Sequence, residues 1–452
     1  MSADNKEATL ALGTQPVGKL LLQYALPGIV AMMASSLYNL ADGAFIGHGV
    51  GALAISGVTL TSPLMNLSAA FGAAVGVGAS TLMSLRLGQK QYSQAQHALG
   101  NMVMLNIIIG VVVGLGTLLF LDPILHFFGA SDRTLPYARQ YMQIILLGNV
   151  ITHLYYGLNS ALRAASKPRQ AMMSTIATVL LNVVLDPIFI WPLHMGVRGA
   201  ACATVLSQLI VLTWQLRAFS RRSELLHLQW RTLRLRWSLV RDILSIGISP
   251  FAMNVTSCVI VIFINHALVR YGNDLAVGAY GIANIIGFVF FMIIMGLNQG
   301  MQPIAGYNYG AHQMDRVERV LRITIGWGVG AMTLGFLIGQ LGARYIVRLF
   351  TTDPALMDMA AHGIHINMAA FPVIGFQAVV TNFFQTIGKV KVSIFLSLSR
   401  QLIFLLPLLL ALPPVMGLDG VWWSLPASDV VSAIVTFFIL MHHKKKLAPQ
   451  GD

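Results

Sequence analysis

The sequence predicts an all-α polytopic membrane protein with 12 transmembrane helices in two pseudo-symmetric six-helix lobes. The first observation is composition: of 452 residues, 56% are apolar and only 10% are charged, whereas soluble proteins carry about 25% charged residues. The second is a series of apolar stretches, each long enough to cross roughly 30 Å of hydrocarbon. The third is an internal repeat at an offset of about 222 residues. Together these observations exclude a soluble enzyme and a disordered chain.

Twelve apolar stretches are predicted as the membrane spans. A span needs about 20 apolar residues, because an α-helix rises only about 1.5 Å per residue. The polar N-terminus lacks the regions of a cleaved signal peptide, so the first stretch is expected to stay in the membrane. We place the spans at 18–47, 53–82, 97–120, 138–162, 170–192, 199–219, 243–268, 275–304, 319–342, 361–387, 391–412 and 419–441.

Lys and Arg are distributed unequally between the two sides of these spans. Of the 29 basic residues, 22 fall on the side that carries both termini and the long central loop, 6 fall on the other side, and Arg400 lies within a span. Cytoplasmic loops are enriched in Lys and Arg, so both termini are expected to be cytoplasmic. The net charge of +13 then reflects topology and contact with anionic membrane lipids, not nucleic-acid binding.

Matching segments recur in the two halves of the chain. The stretch 195–199 (MGVRG) resembles 416–420 (MGLDG), and Gly78 matches Gly300 at the same approximate offset. Six spans per half is an even number, so the halves are parallel repeats with the same membrane orientation. We predict an N-terminal lobe that carries the coupling site, a cytoplasmic linker, and a C-terminal lobe with a basic tail, at 1–219, 220–240 and 241–452.

Two parallel lobes in one chain are typical of a secondary transporter with a site near the bilayer midplane. The sequence contains no P-loop, nucleophile elbow, HExxH or CxxC motif. We therefore expect neither enzymatic activity nor a bound cofactor, and no direct use of ATP. The only cysteines, Cys202 and Cys258, exclude a disulfide scaffold.

Two acidic residues in the N-terminal half lie within apolar spans and are the main candidates for function. Insertion of a charged side chain at a helix centre costs roughly 2.5–3.5 kcal/mol, so such residues usually face a cavity, a partner or an ion path. Asp42 follows Tyr38 by four residues, and Asp186 follows Asn182 by four, so each pair shares a helix face. Carboxylate and amide oxygens suit Na⁺ or a proton. The alternative is that each aspartate separately makes a hydrogen bond that is only structural.

A third intramembrane carboxylate, Asp429, is interpreted differently. Arg400 on the preceding span is a candidate partner, and a buried charge needs such a partner. We therefore predict a structural ion pair. In the C-terminal half, Asn265 occupies the place that corresponds to Asp42, so the coupling carboxylates are concentrated in the N-terminal lobe.

These residues together resemble the multidrug and toxic compound extrusion (MATE) family, and most closely its DinF-type branch. The resemblance covers essentially the whole chain and is carried by four stretches in order. They are LYNLADGAFIGHGVGALAISG, LRAASKPRQAM, NVVLDPIFI and MGVRGAACATVLSQ. Spans 7 and 8 contain no acidic residue in their apolar interiors, which departs from the NorM-type pattern and again favours an N-lobe site.

The resemblance implies which residues form the site. The coupling-ion or proton site would comprise Asp42, Asn182, Asp186, the Ala200 carbonyl and Thr204, with Na⁺ possible at the Asp42, Asn182, Asp186 and Thr204 oxygens. Tyr38, Tyr141 and Asn159 would line the adjoining cavity and hydrogen-bond the aspartates. Alternatives remain open for three of them. Thr204 could bond its own helix, Tyr141 could anchor at the interface, and Asn159 could join two helices.

The function that this resemblance implies is cation-coupled multidrug efflux. A monomeric antiporter of the bacterial cytoplasmic (inner) membrane would export amphipathic organic cations, including antibiotics and other xenobiotics, in exchange for Na⁺ or H⁺ by alternating access. The alternative is a flippase for lipid-linked oligosaccharides or other lipids, from the same superfamily. A flippase that binds pyrophosphate should line its cleft with several Arg or Lys, whereas only Arg400 is counted as intramembrane here.

Overall fold

The structure is a computed structural model that describes the backbone of residues 3–50, 52–128, 130–221, 224–272, 274–350 and 353–447. The first half contains α1 (Ala3–Thr14), α2 (Val17–Gly49), α3 (Ala52–Gly88), α4 (Tyr92–Leu119), α5 (Leu121–Phe127), α6 (Leu135–Leu147), α7 (Asn149–Ala164), α8 (Pro168–Ile190) and α9 (Val197–Ser220). The second half contains α10 (Trp237–Tyr271), α11 (Asp274–Gly310), α12 (Met314–Val347), α13 (Pro354–Asn367), α14 (Phe371–Thr386), α15 (Val390–Leu398), α16 (Leu406–Ala411), α17 (Pro413–Met416) and α18 (Leu418–Leu447). Short turns of 3₁₀-helix occupy Trp230–Leu233 and Met368–Ala370, and a π-helical segment occupies Ser399–Leu405.

Eleven helical segments among the described residues are long and apolar enough to cross a membrane. The predicted fourth span, 138–162, is not among them because the helix is interrupted at Gly148, where α6 ends and α7 begins. Each of the two pieces is too short to span alone, but they follow one another directly. The predicted tenth span is likewise built from α13 and α14, with a 3₁₀ turn between them.

The backbone itself shows the duplication that the sequence predicts. Residues in the left-handed region recur at equivalent places of the two halves: Lys90 (φ 59°) corresponds to His312 (φ 58°), and Ser166 (φ 62°) corresponds to Gly388 (φ 76°). These pairs close the helices that precede equivalent loops. A non-glycine residue rarely adopts a positive φ, and three of these four residues are not glycine. Their recurrence at a constant offset agrees with two copies of one six-helix plan.

The chain divides into two compact units whose limits differ from the predicted lobe boundaries. The first unit comprises residues 1–15 and 30–251, and the second comprises 16–29 and 252–452. The start of α10 thus belongs to the first unit, where Gly78 and Gly247 let the backbones of α3 and α10 approach closely. The start of α2 belongs to the second unit, where Gly296 and Gly300 of α11 permit the equivalent approach. Small residues allow such close packing between membrane helices.

The segment between α9 and α10 is attached to the first unit by contacts at residues 227–236. The amide nitrogen of Asn101 on α4 donates to the carbonyls of Thr232 (3.4 Å) and Arg234 (3.2 Å), and its oxygen accepts from the backbone N–H of Arg236 (2.8 Å). The Gln96 side chain donates to the His227 carbonyl at 3.0 Å. The residues predicted as a linker are therefore held as part of this unit up to the start of α10.

Candidate cation-coupling site

The site is centred on α8, where Asn182 and Asp186 lie one turn apart and are almost completely buried, with 1% and 0% exposure. With the Asn182 amide oriented to satisfy both neighbours, its nitrogen donates to Asp186 Oδ2 at 2.7 Å and its oxygen accepts from the Thr204 hydroxyl at 3.2 Å. The four-residue spacing in the sequence therefore produces the predicted shared face, and α9 supplies the next partner.

Asp42 reaches the same place from α2. Its carboxyl group lies within hydrogen-bonding reach of the Asp186 carboxyl group. Asp186 is buried behind Asp42, which is partly exposed. Two carboxylates this close cannot both stay negatively charged away from water, so the pair needs a shared proton or a bound cation.

Each aspartate also has an oxygen without a partner. Among the described residues, Oδ1 of Asp42 and Oδ1 of Asp186 are buried and accept no hydrogen bond. Buried polar atoms are normally satisfied, so two orphaned carboxylate oxygens in one site point to a ligand that would occupy them. Carboxylate oxygens bind hard cations or accept protons.

Tyr141 and Thr204 complete the wall of the site. Tyr141, on α6, is 1% exposed, and its hydroxyl lies beside the Thr204 hydroxyl and in the electrostatic range of both aspartates. Its burial argues against the alternative of interfacial anchoring. The Thr204 hydroxyl is also 3.1 Å from the carbonyl oxygen of Ala200, as expected for a threonine bonded to its own helix. Thr204 therefore contacts Asn182 of the predicted site and also bonds its own helix, so both arrangements that the sequence left open are present.

Asn159, one of the residues predicted to line the cavity, is not brought into this cluster. Tyr38 lies in α2, but its side chain is outside the described part of the structure. Asn159 does not hydrogen-bond either aspartate. Its nitrogen donates to Ala171, Ser174 and Thr175 near the start of α8, and its oxygen accepts from Arg163. Because α7 and α8 meet there about three to four turns before Asp186, Asn159 joins helices, which was the alternative interpretation.

The second unit holds its intramembrane carboxylate in a different way. Arg400 Nε donates to Asp429 Oδ1 at 2.6 Å, so the predicted ion pair forms. Asp429 is 5% exposed, and Arg400 lies in the π-helical segment Ser399–Leu405. The negative charge of Asp429 is thus neutralised by the protein itself.

Sequence reasoning missed a polar stripe that continues from the site along α8. Ser174, Thr178, Asn182 and Asp186 recur at intervals of four residues, and the Tyr155 hydroxyl on α7 lies within hydrogen-bonding reach of the first two. The signal was the constant spacing of small polar residues in an apolar helix. Among the described residues, no group of three or more His, Cys, Asp or Glu is placed to hold a metal ion.

Comparisons with known proteins agree with this architecture. The MatE family model matches residues 27–188 and 246–409, which together are more than half of the chain. The multidrug export protein MepA of Staphylococcus haemolyticus (strain JCSC1435) is 29% identical over 429 residues, covering 95% of this chain and 94% of its own. MepA of Staphylococcus aureus (strain NCTC 8325 / PS 47) is also 29% identical, over 428 residues and 94% of each chain.

Solved structures give the same result. The MATE multidrug transporter DinF-BH, solved in complex with a ligand, is 34% identical and covers 95% of this chain and 96% of its own, with a TM-score of 0.88. An outward-facing MATE transporter of the MOP superfamily has a TM-score of 0.91 over 96% of this chain and 98% of its own, but at 24% identity that likeness shows the fold alone. The chain belongs to the multidrug and toxic compound extrusion (MATE) family of membrane transporters.

Proposed function

We propose that this transporter is a cation-coupled antiporter that exports amphipathic organic cations in exchange for Na⁺ or H⁺. The observation that carries the proposal is the contact between Asp42 and Asp186 inside one unit, with one unpartnered oxygen on each among the described residues. Two adjacent buried carboxylates are unstable without a positive charge. Their unpartnered oxygens are available to bind a cation. A site of this kind exchanges one cation for another.

The geometry also supports an order of events. Asp42 is partly exposed and Asp186 is fully buried, so an organic cation reaches Asp42 first. When the pair holds Na⁺ or a proton instead, its net charge falls and it no longer attracts the organic cation. Asn182 and Thr204 then reorient around Asp186, and α2 and α8 shift together. Alternating access requires such a change to be linked to the opening of one side.

The relatives support the substrate class. Two staphylococcal relatives are named multidrug export proteins, and DinF-BH is named a multidrug transporter. Acidic groups attract organic cations, and methionine-rich apolar surfaces adapt to varied shapes. A flippase is not favoured, because these relatives are exporters and the charge of Arg400 is taken up by Asp429.

The donors at the site suit either coupling ion. A proton would be shared between the Asp42 and Asp186 carboxyl groups, whereas Na⁺ would use their oxygens together with those of Asn182 and Thr204 and the carbonyl of Ala200. We propose that the protein works as a monomer in the bacterial inner membrane with both termini in the cytoplasm, as the distribution of its basic residues predicts.

Transport into proteoliposomes under separately imposed Na⁺ and pH gradients tests the proposal. We expect uptake of a fluorescent organic cation to follow one of the two gradients, and to lose that dependence in Asp42→Asn and Asp186→Asn. The Asp429→Asn variant, made together with Arg400→Met, is the matched control, because it removes an intramembrane carboxylate of the other unit. Gradient-driven uptake that survives both N-lobe substitutions in folded protein would contradict the proposal.

A further inference from the structure

A half-buried cation without a carboxylate partner among the described residues lies in the first unit, at the end that carries the basic loops. Arg163 is in the last turn of α7. Its two terminal nitrogens donate to Asn159 Oδ1 and to Ser160 Oγ (3.0 Å), and its Nε is buried with no partner among the described residues. None of the ion pairs found in the described part of the chain involves Arg163. A guanidinium is always charged, and keeping an unpaired charge away from water is unfavourable.

This guanidinium stands at the end of the polar stripe that begins at the aspartates. Asn159, which accepts from Arg163, donates to the hydroxyls of Ser174 (3.1 Å) and Thr175 (3.2 Å) on α8. Gln215 of α9 also donates to Ser174, at 2.7 Å, and its own oxygen is buried without a partner among the described residues. The end of the stripe is therefore a dense network of amides and hydroxyls in the core of the unit.

The stripe then runs along α8 to the coupling site. The Tyr155 hydroxyl lies within reach of Ser174 and Thr178, Thr178 precedes Asn182 by one turn, and Asn182 donates to Asp186. From Ser174 to Asp186 the helix advances by about 18 Å. Lys167 and Glu224 lie beyond Arg163 and neutralise each other in an ion pair of 2.6 Å. Arg163 has no such ion-pair partner among the residues described.

A transporter that couples two fluxes must not let its driving ion cross alone. The route for such a leak would be the hydroxyls and amides that recur along α8, because groups of this kind can hold a proton or a cation in turn. A fixed positive charge in such a path repels protons and metal cations, as arginines do in selective pores. A hydrophobic side chain at position 163 would also block such a path, but the sequence has an arginine there.

We infer that Arg163 is an electrostatic barrier that prevents Na⁺ or H⁺ from leaking from the Asp42–Asp186 pair along the polar stripe of α8. The inference rests on the proposed function, since it names the ion that the site would handle. It assigns Arg163 no part in binding the drug. Asn159 and Ser160 act as positioning residues, because they hold the guanidinium across the end of the stripe.

The chain offers two matched ways of removing this charge. Arg163→Gln removes it directly, and glutamine already occupies the equivalent position of the second repeat, where Gln385 is buried at 6% exposure. Asn159→Asp neutralises it instead: the new carboxylate replaces the amide oxygen that already accepts from Arg163, so the guanidinium stays in place. Arg163→Lys keeps the charge and is the control.

The measurement is passive ion flux into proteoliposomes without drug. A pH-sensitive dye under a potassium diffusion potential reports H⁺, and radioactive Na⁺ uptake reports Na⁺; the two assays identify which ion is held back. We expect Arg163→Gln and Asn159→Asp each to raise the flux of one of these ions at least about tenfold, and Arg163→Lys to stay within about twofold of wild type. Adding Asp186→Asn to Arg163→Gln should suppress the leak, because the path begins at the pair.

Two results would overturn the inference. One is that both neutral variants are as ion-tight as the wild-type protein. The other is that they admit chloride as readily as cations, since that would indicate a loosened fold. Either result leaves the proposed function standing if gradient-driven drug transport still depends on Asp42 and Asp186. Loss of that dependence in the wild-type assay would instead reject the proposed function.

Discussion

The two units of the transporter treat a buried carboxylate in opposite ways. In the second unit, Asp429 receives a hydrogen bond of 2.6 Å from Arg400, so its charge is cancelled by a permanent neighbour. In the first unit, Asp186 faces Asp42, a second acidic group. One carboxylate has a basic partner within the protein, and under the proposed function the other is neutralised by a mobile cation.

The difference shows that the two halves of a duplicated fold hold their buried carboxylates in different surroundings. Both halves follow the same six-helix plan, down to matching left-handed residues such as Ser166 and Gly388. Yet the ion pair of the second unit lies on α18 and the π-helical segment before α16, whereas the aspartates of the first unit lie on α2 and α8. The scaffold is repeated, and the site is not.

The largest expected effect is the loss of the mobile charge. Asp42→Asn or Asp186→Asn removes one charge-assisted contact, worth about 1.5–3 kcal/mol, and ends the need for a neutralising cation. We expect gradient-driven transport of an organic cation to fall to below about a tenth of wild type, while the thermal midpoint in detergent is unchanged or higher. Tracer uptake in proteoliposomes measures the first quantity, and thermal unfolding measures the second.

Breaking the permanent pair should give the opposite pattern. Arg400→Met leaves Asp429 buried and unpaired, so we expect a loss of about 3–5 kcal/mol in the free energy of unfolding. Arg400→Met with Asp429→Leu restores an apolar contact and should recover most of that loss. Transport by the folded double variant should stay coupled. A double variant that is stable but uncoupled would mean that the two units share the coupling role.

Asn159 distinguishes a coupling role from a structural role within the first unit. It was predicted at the site and is found beside Arg163. Asn159→Ala deletes its hydrogen bonds to Ala171, Ser174 and Thr175. We expect a loss of about 1–3 kcal/mol in stability with no change in the ion dependence of transport. Denaturant unfolding measures the change in stability. Transport under separate Na⁺ and pH gradients measures the ion dependence. A changed ion dependence would return Asn159 to the coupling site.

The smallest expected effect concerns the Tyr141 hydroxyl. Tyr141→Phe keeps the ring in its buried position and removes only the contact with Thr204, worth about 1 kcal/mol. We expect the apparent affinity for the coupling ion to fall roughly fivefold, with little change in maximal rate. Titrating transport against ion concentration measures this. Thr204→Val, which removes the hydroxyl on the other side, should reproduce the effect and should not add to it.

The fold was largely predictable from the sequence because membrane-spanning helices are recognisable from their length and apolar composition. The predicted fourth span differs from the structure because the backbone changes geometry at Gly148, and hydropathy does not report such a change. The start of α2 belongs to the second unit and the start of α10 to the first. Both assignments depend on close contacts at glycines between helices that are far apart in the sequence, such as Gly78 of α3 with α10.

The site was predictable to the extent that its residues share a helix face. Asn182 and Asp186 followed from their four-residue spacing, and Arg400 with Asp429 followed from opposite charges on adjacent spans. That Asp42 touches Asp186 came from family resemblance, because no local pattern specifies how α2 meets α8. Asn159 was predicted beside the aspartates for the same reason, whereas its hydrogen bonds run to the start of α8 and to Arg163.

The most direct test of the account is whether the organic cation and the coupling ion displace each other at the aspartate pair. Purified protein in weakly buffered detergent solution is mixed with a saturating organic cation, and released protons or radioactive Na⁺ are counted. We predict release from the wild-type protein and from the Arg400→Met, Asp429→Leu variant, and none from Asp42→Asn or Asp186→Asn. Equal release from all four proteins would contradict the account.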